Sequence, residues 1–330
     1  MVSQFNPQQQ PILEARNLTM HFHTGGALSR KTVKAVQQAN LKLYSGRVTA
    51  LVGESGSGKS TIIRMLARLY TPTDGQIIFR GEDALRDKSR RAALYYRSQV
   101  QMIFQDPFSS LNPVHQVKYH LERPLRIHGK ARSRAALNDQ IDVLLKRVSL
   151  TPTEEFAVKY PHQLSGGQRQ RVAIARALAV QPEVILADEP VSMLDVSIRM
   201  GILNLMAVLR DEQNIAFLYV THDIASARYF ADETLVMYAG FIVEGAGSEE
   251  LIQEPKHPYT QLLLSAVPDP ARGLRTAEVE VVGEIPSLTS LGAGCPFANR
   301  CSRVMEKCKT VMPSVTELSP TRWVRCFLYE

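Results

Sequence analysis

Nine consecutive residues, Gly53-Glu54-Ser55-Gly56-Ser57-Gly58-Lys59-Ser60-Thr61, satisfy the pattern G-x-x-x-x-G-K-[ST]. Glycines at these spacings let backbone N–H groups turn inward and surround a phosphate with no Cβ in the way. Lys59 adds a mobile positive charge for β- and γ-phosphates, and the Ser60 hydroxyl is a hard oxygen donor suited to Mg2+. The pattern carries weight only between a strand and a helix. Both flanks comply: Val48–Val52 is a short apolar run, and residues 60–70 place Ile62, Ile63, Leu66 and Leu69 at helical spacing before Pro72. A helix beginning there also presents its positive dipole end to the anion. A Gly/Ser-rich turn that binds nothing is the bland alternative, and the two flanks argue against it. The sequence predicts a nucleoside triphosphate site.

Such a loop needs an acidic partner for its metal. Residues 184–187 form an apolar strand-type run that ends in Asp188 and Glu189. Asp188 is suited to hold Mg2+ through its water shell, and Glu189 to polarise an attacking water. Without the phosphate loop, this pair would read as a turn-fixing strand end. A second anion-binding helix end is written at Leu164-Ser165-Gly166-Gly167-Gln168, where Ser165 can cap a helix over 172–180 and two glycines expose its first amides. One nucleotide rarely needs two such ends in one chain, so a head-to-tail pair of chains is the expected solution.

Here the chain resembles the ATP-binding cassette proteins: Leu164–Gln168 matches their signature, and the other cassette motifs follow in order. The resemblance makes Gln105 the Q-loop glutamine near Mg2+ (with Ser60 and Asp188), Asp195 the D-loop aspartate and His222 the γ-phosphate switch. Phe22 becomes the adenine-stacking aromatic, where Tyr is commoner, and Met193 stands where the family more often has Ala. Residues 105–113, His257-Pro258-Tyr259-Thr260 and Gly294-Cys295-Pro296-Phe297 further resemble the ATP-binding subunits of bacterial dipeptide/oligopeptide importers. The implied fold is α/β: a RecA-like P-loop core, an antiparallel β subdomain and a helical signature subdomain, followed by a small cysteine-containing extension. The implied partners are a second, related but non-identical cassette subunit, two transmembrane permeases and an extracytoplasmic solute-binding protein. The implied place is the cytoplasmic side of the inner membrane. Phe108 and Leu111 are candidates for contact with a permease helix, core packing being the alternative.

The elements that must position these groups are legible as patterns. Residues 12–23 and 36–43 alternate as strands do, with an exposed loop expected over 23–34. Residues 76–80 and 216–220 read as further strands, and 115–160 is helical in period. Strands alternating with helices predict a parallel, helix-covered sheet. Beyond about 254, prolines, glycines and cysteines replace the periodic segments. We therefore divide the chain into a loose tail (1–11), an ATP-binding domain (12–255) and an extension (256–330). Every nucleotide motif precedes the extension, so its removal from 266 onward is expected to spare ATP binding.

All four cysteines, Cys295, Cys301, Cys308 and Cys326, lie in the last 36 residues. Their C-x5-C-x6-C-x17-C spacing lacks the C-x2-C pairs of a zinc knuckle. Four thiolates in a loop-rich segment fit a [4Fe–4S] cluster, which the importer resemblance also implies; Zn2+ or unmetallated thiols remain alternatives. The composition, 45% hydrophobic and 22% charged, excludes general disorder and a collagen-like chain. No apolar run reaches the length of a bilayer span, and the Gln- and Pro-rich start lacks a signal-peptide pattern. The net charge of +7 suits nucleic acid, anionic lipid or polyphosphate equally. The basic residues between Arg86 and Arg97, with Lys130 and Arg132, read as solvated faces, not a nucleic-acid site. The function expected is an ATPase subunit driving di- or oligopeptide import. The same role for nickel, opine or oligosaccharide cargo is one alternative, and a soluble cassette acting on nucleic acid or ribosomes is another.

Overall fold

The structure, a computed structural model, describes residues 9–25, 31–265 and 286–330. Most of the expected N-terminal tail and part of the extension lie outside the described residues. The chain divides into two compact units. One takes the residues up to 43, 48–82 and those from 219 onward; the other takes 44–47 and 83–218.

The first unit holds two sheets. In one, Lys31–Leu43 pairs antiparallel with Leu13–Thr24, which pairs antiparallel with Asp74–Phe79. Alternation in residues 12–23 is interrupted, because register shifts break the ladder between Ala15 and His21. Such bulges add twist and bend the strand. The expected loop over 23–34 is shorter than read: the strands run on to Thr24 and begin again at Lys31. The basic residues Lys31 and Lys34 are paired strand residues there, which their polarity concealed.

In the other sheet of this unit the order is Thr316–Ser319, Arg322–Val324, Phe241–Gly247, Glu233–Tyr238, Val48–Val52. Val48–Val52 is buried at every residue and runs parallel to Glu233–Tyr238. A strand covered on both faces needs such a continuous apolar run. Ala239 and Gly240, both at positive φ (45° and 90°), turn the chain into Phe241–Gly247, as a tight two-residue hairpin requires. The C-terminal strands were not anticipated. Arg322–Val324 is three residues long, too short to show a period, yet it adds to the sheet edge through Glu244↔Val324 and Gly245↔Trp323. Gly245 leaves room for this: a Cβ there would lie 2.6 Å from the Trp323 indole nitrogen. Helix Pro258–Ser265 likewise lies where periodic segments were expected to end.

In the second unit Val100–Ile103 runs parallel to Val184–Asp188. Helices Val117–Ile127, Arg134–Arg147 and Thr153–Val158 fill the stretch whose period had announced them, and Gly166–Leu178 begins earlier than the helix expected over 172–180. Their apolar faces, including Leu121, Leu125, Leu144, Leu145, Val172 and Ile174, are buried. Ser133 caps one of them, its hydroxyl accepting from the Ala136 N–H. The basic residues Arg86, Arg90, Arg91, Arg97, Lys130 and Arg132 are exposed.

Candidate functional site

The phosphate loop lies in the first unit, between the strand Val48–Val52 and the helix Lys59–Leu66. Two of its glycines are obligatory. A Cβ at Gly53 would stand 2.1 Å from the Met237 carbonyl oxygen, and one at Gly58, at φ 110°, 2.3 Å from that of Ala35. Gly58 caps the helix without any side-chain hydrogen bond, so the helix start keeps the open form that suits an anion. Lys59 is buried, and its ammonium donates to the carbonyls of Gly53 (2.7 Å) and Glu54 (2.8 Å). The lysine is thus folded along the loop that it is expected to serve. Ser55 and Gly56 at the tip are exposed, Ser60 and Thr61 partly so. The Ser57 hydroxyl is buried with no hydrogen-bond partner, a polar atom awaiting one.

The same unit carries Phe22 and His222. Phe22 is half-buried and meets Tyr70 edge-on, with ring centroids 5.6 Å apart. His222 is exposed just beyond the strand Ala216–Thr221. The next residue, Asp223, fixes the turn: its carboxylate accepts from the Ala225 N–H at 3.0 Å, and its own N–H donates to the Thr221 hydroxyl.

In the second unit the structure joins two residues 84 positions apart: the Gln105 amide nitrogen donates to the Glu189 carboxylate at 3.1 Å. Asp188 is buried at the end of its strand. Glu189 follows with φ 45°, a left-handed conformation that costs a residue with a Cβ roughly 1–2 kcal/mol and is concentrated at functional sites. Oxygen donors of the kind offered in this unit by Asp188 and Gln105 fit a hard cation such as Mg2+.

Ser165 caps the helix Gly166–Leu178 as expected, within a reciprocal box: its hydroxyl accepts from the Gln168 N–H (3.2 Å), and its own N–H donates to the Gln168 side chain (3.0 Å). The two glycines differ in use. Gly166 is partly exposed, whereas Gly167 is buried where a Cβ would lie 2.6 Å from Ile198. It lets the helix Val196–Gln213 approach. Leu164 is buried, and Asp195 is exposed at the start of that second helix. Of the two proposed docking residues, Phe108 is 53% exposed under the Arg169 guanidinium, while Leu111 belongs to the core.

The four cysteines gather in the first unit around one cavity, shared with Pro258, Phe297 and Phe327. None is in a disulfide. Burial pushes the Cys295 thiol up to about 11, and the other three cysteines add to the shift. Burial raises those of Cys301 and Cys326 as well. Soft sulfur donors in an apolar shell suit a thiophilic metal or cluster. Among the described residues, however, no three His, Cys, Asp or Glu side chains are arranged to hold a metal ion. Also among the described residues, no helix is long and apolar enough to cross a membrane.

Sequence reasoning missed Tyr259 and Arg300. Tyr259 is fully buried, and its hydroxyl accepts from the Glu54 N–H at 2.9 Å. Arg300 makes a two-pronged ion pair with the Glu54 carboxylate, at 2.8 and 2.9 Å. The only sequence signals were the His257–Thr260 motif and a basic residue beside Cys301.

Comparison with known proteins gives the family. Residues 36–192 match the model of the ABC transporter family, and residues 243–308 match that of the oligopeptide/dipeptide transporter C-terminal region. The oligopeptide transport ATP-binding protein AppF of Bacillus subtilis is 42% identical, over 97% of this chain and 98% of its own. The dipeptide transport ATP-binding protein DppF of Haemophilus influenzae is 38% identical, over 97% of each. The fold is also similar to the ATP-binding cassette MJ0796 in a dimeric post-hydrolysis state bound to ADP and Pi. That match has a TM-score of 0.63 and 31% identity, and covers 72% of this chain and 98% of that one. With likeness running almost end to end and the cassette motifs placed as described, the chain belongs to the ATP-binding subunits of the ABC transporter family, in its oligopeptide/dipeptide branch.

Proposed function

We propose that the chain hydrolyses ATP to drive import of di- or oligopeptides, at the cytoplasmic face of a bacterial inner membrane. The observation that carries the chemistry is Glu189, held by Gln105 in a left-handed backbone at the end of the strand Val184–Asp188. Gly53 to Thr61 bind the phosphates, Lys59 leaving its loop carbonyls for the more negative oxygens of the triphosphate. Phe22 supports the base. Mg2+, held by Ser60, Asp188 and Gln105 in this reading, would neutralise charge on the phosphates. Glu189 accepts a proton from the water that attacks the γ-phosphorus, ADP leaves, and His222 steadies the transferred group. Leu164 to Gln168 and Asp195 serve the nucleotide of a partner cassette. The exposed Met193 and Val196 beside Asp195 support such a contact.

The partners are a second cassette subunit, two permeases and a solute-binding protein. Exposed Phe104, Phe108 and Val114 following the Val100–Ile103 strand support docking of an apolar permease segment there. Peptide cargo is carried over from the names of the relatives. We retain 12–255 as the ATP-binding part and 256–330 as the extension. The four cysteines are our candidate ligands for a [4Fe–4S] cluster: their shared cavity supports this reading, and their arrangement among the described residues, where no three side chains are set to hold a metal ion, does not.

Glu189→Gln tests the chemistry. Its amide keeps the shape but cannot take the proton, so ATP should still bind while turnover falls about 10²- to 10⁴-fold. Steady-state ATPase activity of the assembled complex near the parent rate would refute the assignment.

A further inference from the structure

Glu54, the second residue of the phosphate loop, is engaged at three places. Its N–H donates to Tyr259 Oη, its carbonyl accepts from Lys59 Nζ, and its carboxylate receives both prongs of Arg300. Arg300 comes from 246 positions away and is only 6% exposed at its side chain. Its guanidinium lies 5.7 Å from the Tyr238 ring centroid and 5.8 Å from that of Phe297, and it also donates to Tyr238 Oη at 3.3 Å. Its backbone is fixed by the turn Ala298–Arg300, in which the Ala298 N–H donates to the Cys295 carbonyl and the Cys301 N–H to that of Ala298. The phosphate loop does not stand free of the cysteine segment.

We propose that Arg300, with Tyr259, is a positioning residue of the ATP site: it holds Glu54, and through it the loop, in the form that receives phosphates. Two physical effects favour this. A loop ordered in advance need not be ordered by the ligand, and the saving appears as affinity. A carboxylate within a triphosphate site also repels its ligand unless a cation neutralises it, and a guanidinium fork fixed against aromatic rings does so with defined geometry. Nucleotide affinity therefore depends on the segment carrying the four cysteines, whose turn mounts Arg300. This runs against the expectation that the residues from 266 onward are dispensable for ATP binding.

The inference rests on the phosphate loop being the ATP site, so Lys59→Ala is measured in parallel. In the purified full-length chain, ATP binding is titrated calorimetrically for Arg300→Gln, Glu54→Gln, the double variant and Tyr259→Phe, with thermal melting of each. Arg300→Gln should weaken ATP binding about tenfold. In the assembled transporter it should raise KM while leaving kcat close to the parent's. The double variant should bind no worse than Arg300→Gln, because Arg300 acts through Glu54. Tyr259→Phe should weaken binding in the same direction, and it decides the matter if Arg300→Gln does not fold. Unchanged affinity in the folded variants, with only the melting temperature lowered, overturns the proposal; so do losses that simply add in the double variant. If Lys59→Ala also binds ATP normally, the ATP-site reading itself has failed. If Lys59→Ala alone weakens binding, only the positioning role has.

Discussion

His257 occupies an unusual position for a histidine: it is buried, and its Nδ1 accepts the Tyr259 N–H at 3.0 Å. An acceptor nitrogen must be unprotonated, and burial pushes the ring's pKa down to about 3. Unfolded, the same ring titrates near 6.5. Between those values the unfolded chain binds a proton that the folded chain refuses, so stability falls as pH drops from about 6.5 toward 3. Glu244 acts in the opposite sense. Its buried carboxylate, which accepts the N–H groups of Lys256 and His257, has its pKa raised by burial. The folded chain therefore takes up that proton first, and Glu244 favours folding as the pH falls. His257→Asn keeps an acceptor without a titrating ring, so its stability should decline less between pH 6.5 and 3 than the parent's. Denaturant melts across that range check this, and parallel curves for the two proteins would exclude His257 as the source. Tyr259, which that histidine braces, is the residue whose hydroxyl meets Glu54, so the acid-labile group stands next to the phosphate-loop support.

Elements were legible where chemistry or period marked them. The strand Val48–Val52 and the helix after it were written in a run of apolar residues, glycines and a proline. The helices over 117–158 announced themselves by spacing. Polar strands were harder to see, since Lys31 to Lys34 pair through backbone groups that any residue supplies. Shorter elements gave no signal, because three residues at Arg322–Val324 cannot display an alternation. Helix packing was legible only as glycine. The sequence reading gave both glycines of the signature to anion binding; at Gly167 the missing Cβ also makes room for Ile198. Gly167→Ala should therefore destabilise the folded chain, because the Cγ2 of a β-branched side chain has little freedom to retreat. Overpacking of this kind costs about 1–3 kcal/mol, against a gain of roughly 1 kcal/mol in helix propensity. Ile198→Ala removes the obstacle. In that background Gly167→Ala should be neutral or stabilising, and a thermal melt of the four proteins reads the change of sign. Destabilisation of equal size in both backgrounds would show that the close approach of the two helices is not what the glycine serves.

At the scale of the molecule, the cassette motifs could be read in one dimension because each is a contiguous run placed beside a strand or helix end. The support for the phosphate loop could not, because Glu54 and Arg300 meet only after the chain has passed through the second unit and returned. The cysteines belong to the same class of long-range facts. Their sequence spacing excluded a zinc knuckle, and only folding brings Cys326 to the cavity that Cys295, Cys301 and Cys308 share. Four free thiols, Cys308 buried and the others half-buried, have a dull explanation, as small apolar side chains. Against it stands their confinement to a single cavity in a segment with little core of its own: Ala298, Cys308 and Phe327, with Cys295 and Met305 packed against them. A shared metal would supply the cohesion that so small a cluster lacks. Protein purified without oxygen should then be brown, with about four irons and four sulfides per chain for a [4Fe–4S] cluster. Cys326→Ser should lower the iron content and, through the turn that carries Arg300, weaken ATP binding without removing it. Colourless protein with one zinc per chain would replace the cluster by a zinc site, and four titratable thiols with no metal would leave the dull explanation standing. Iron loss with ATP affinity untouched would separate the two halves: the metal would serve the segment alone, and Arg300 would hold the loop without it.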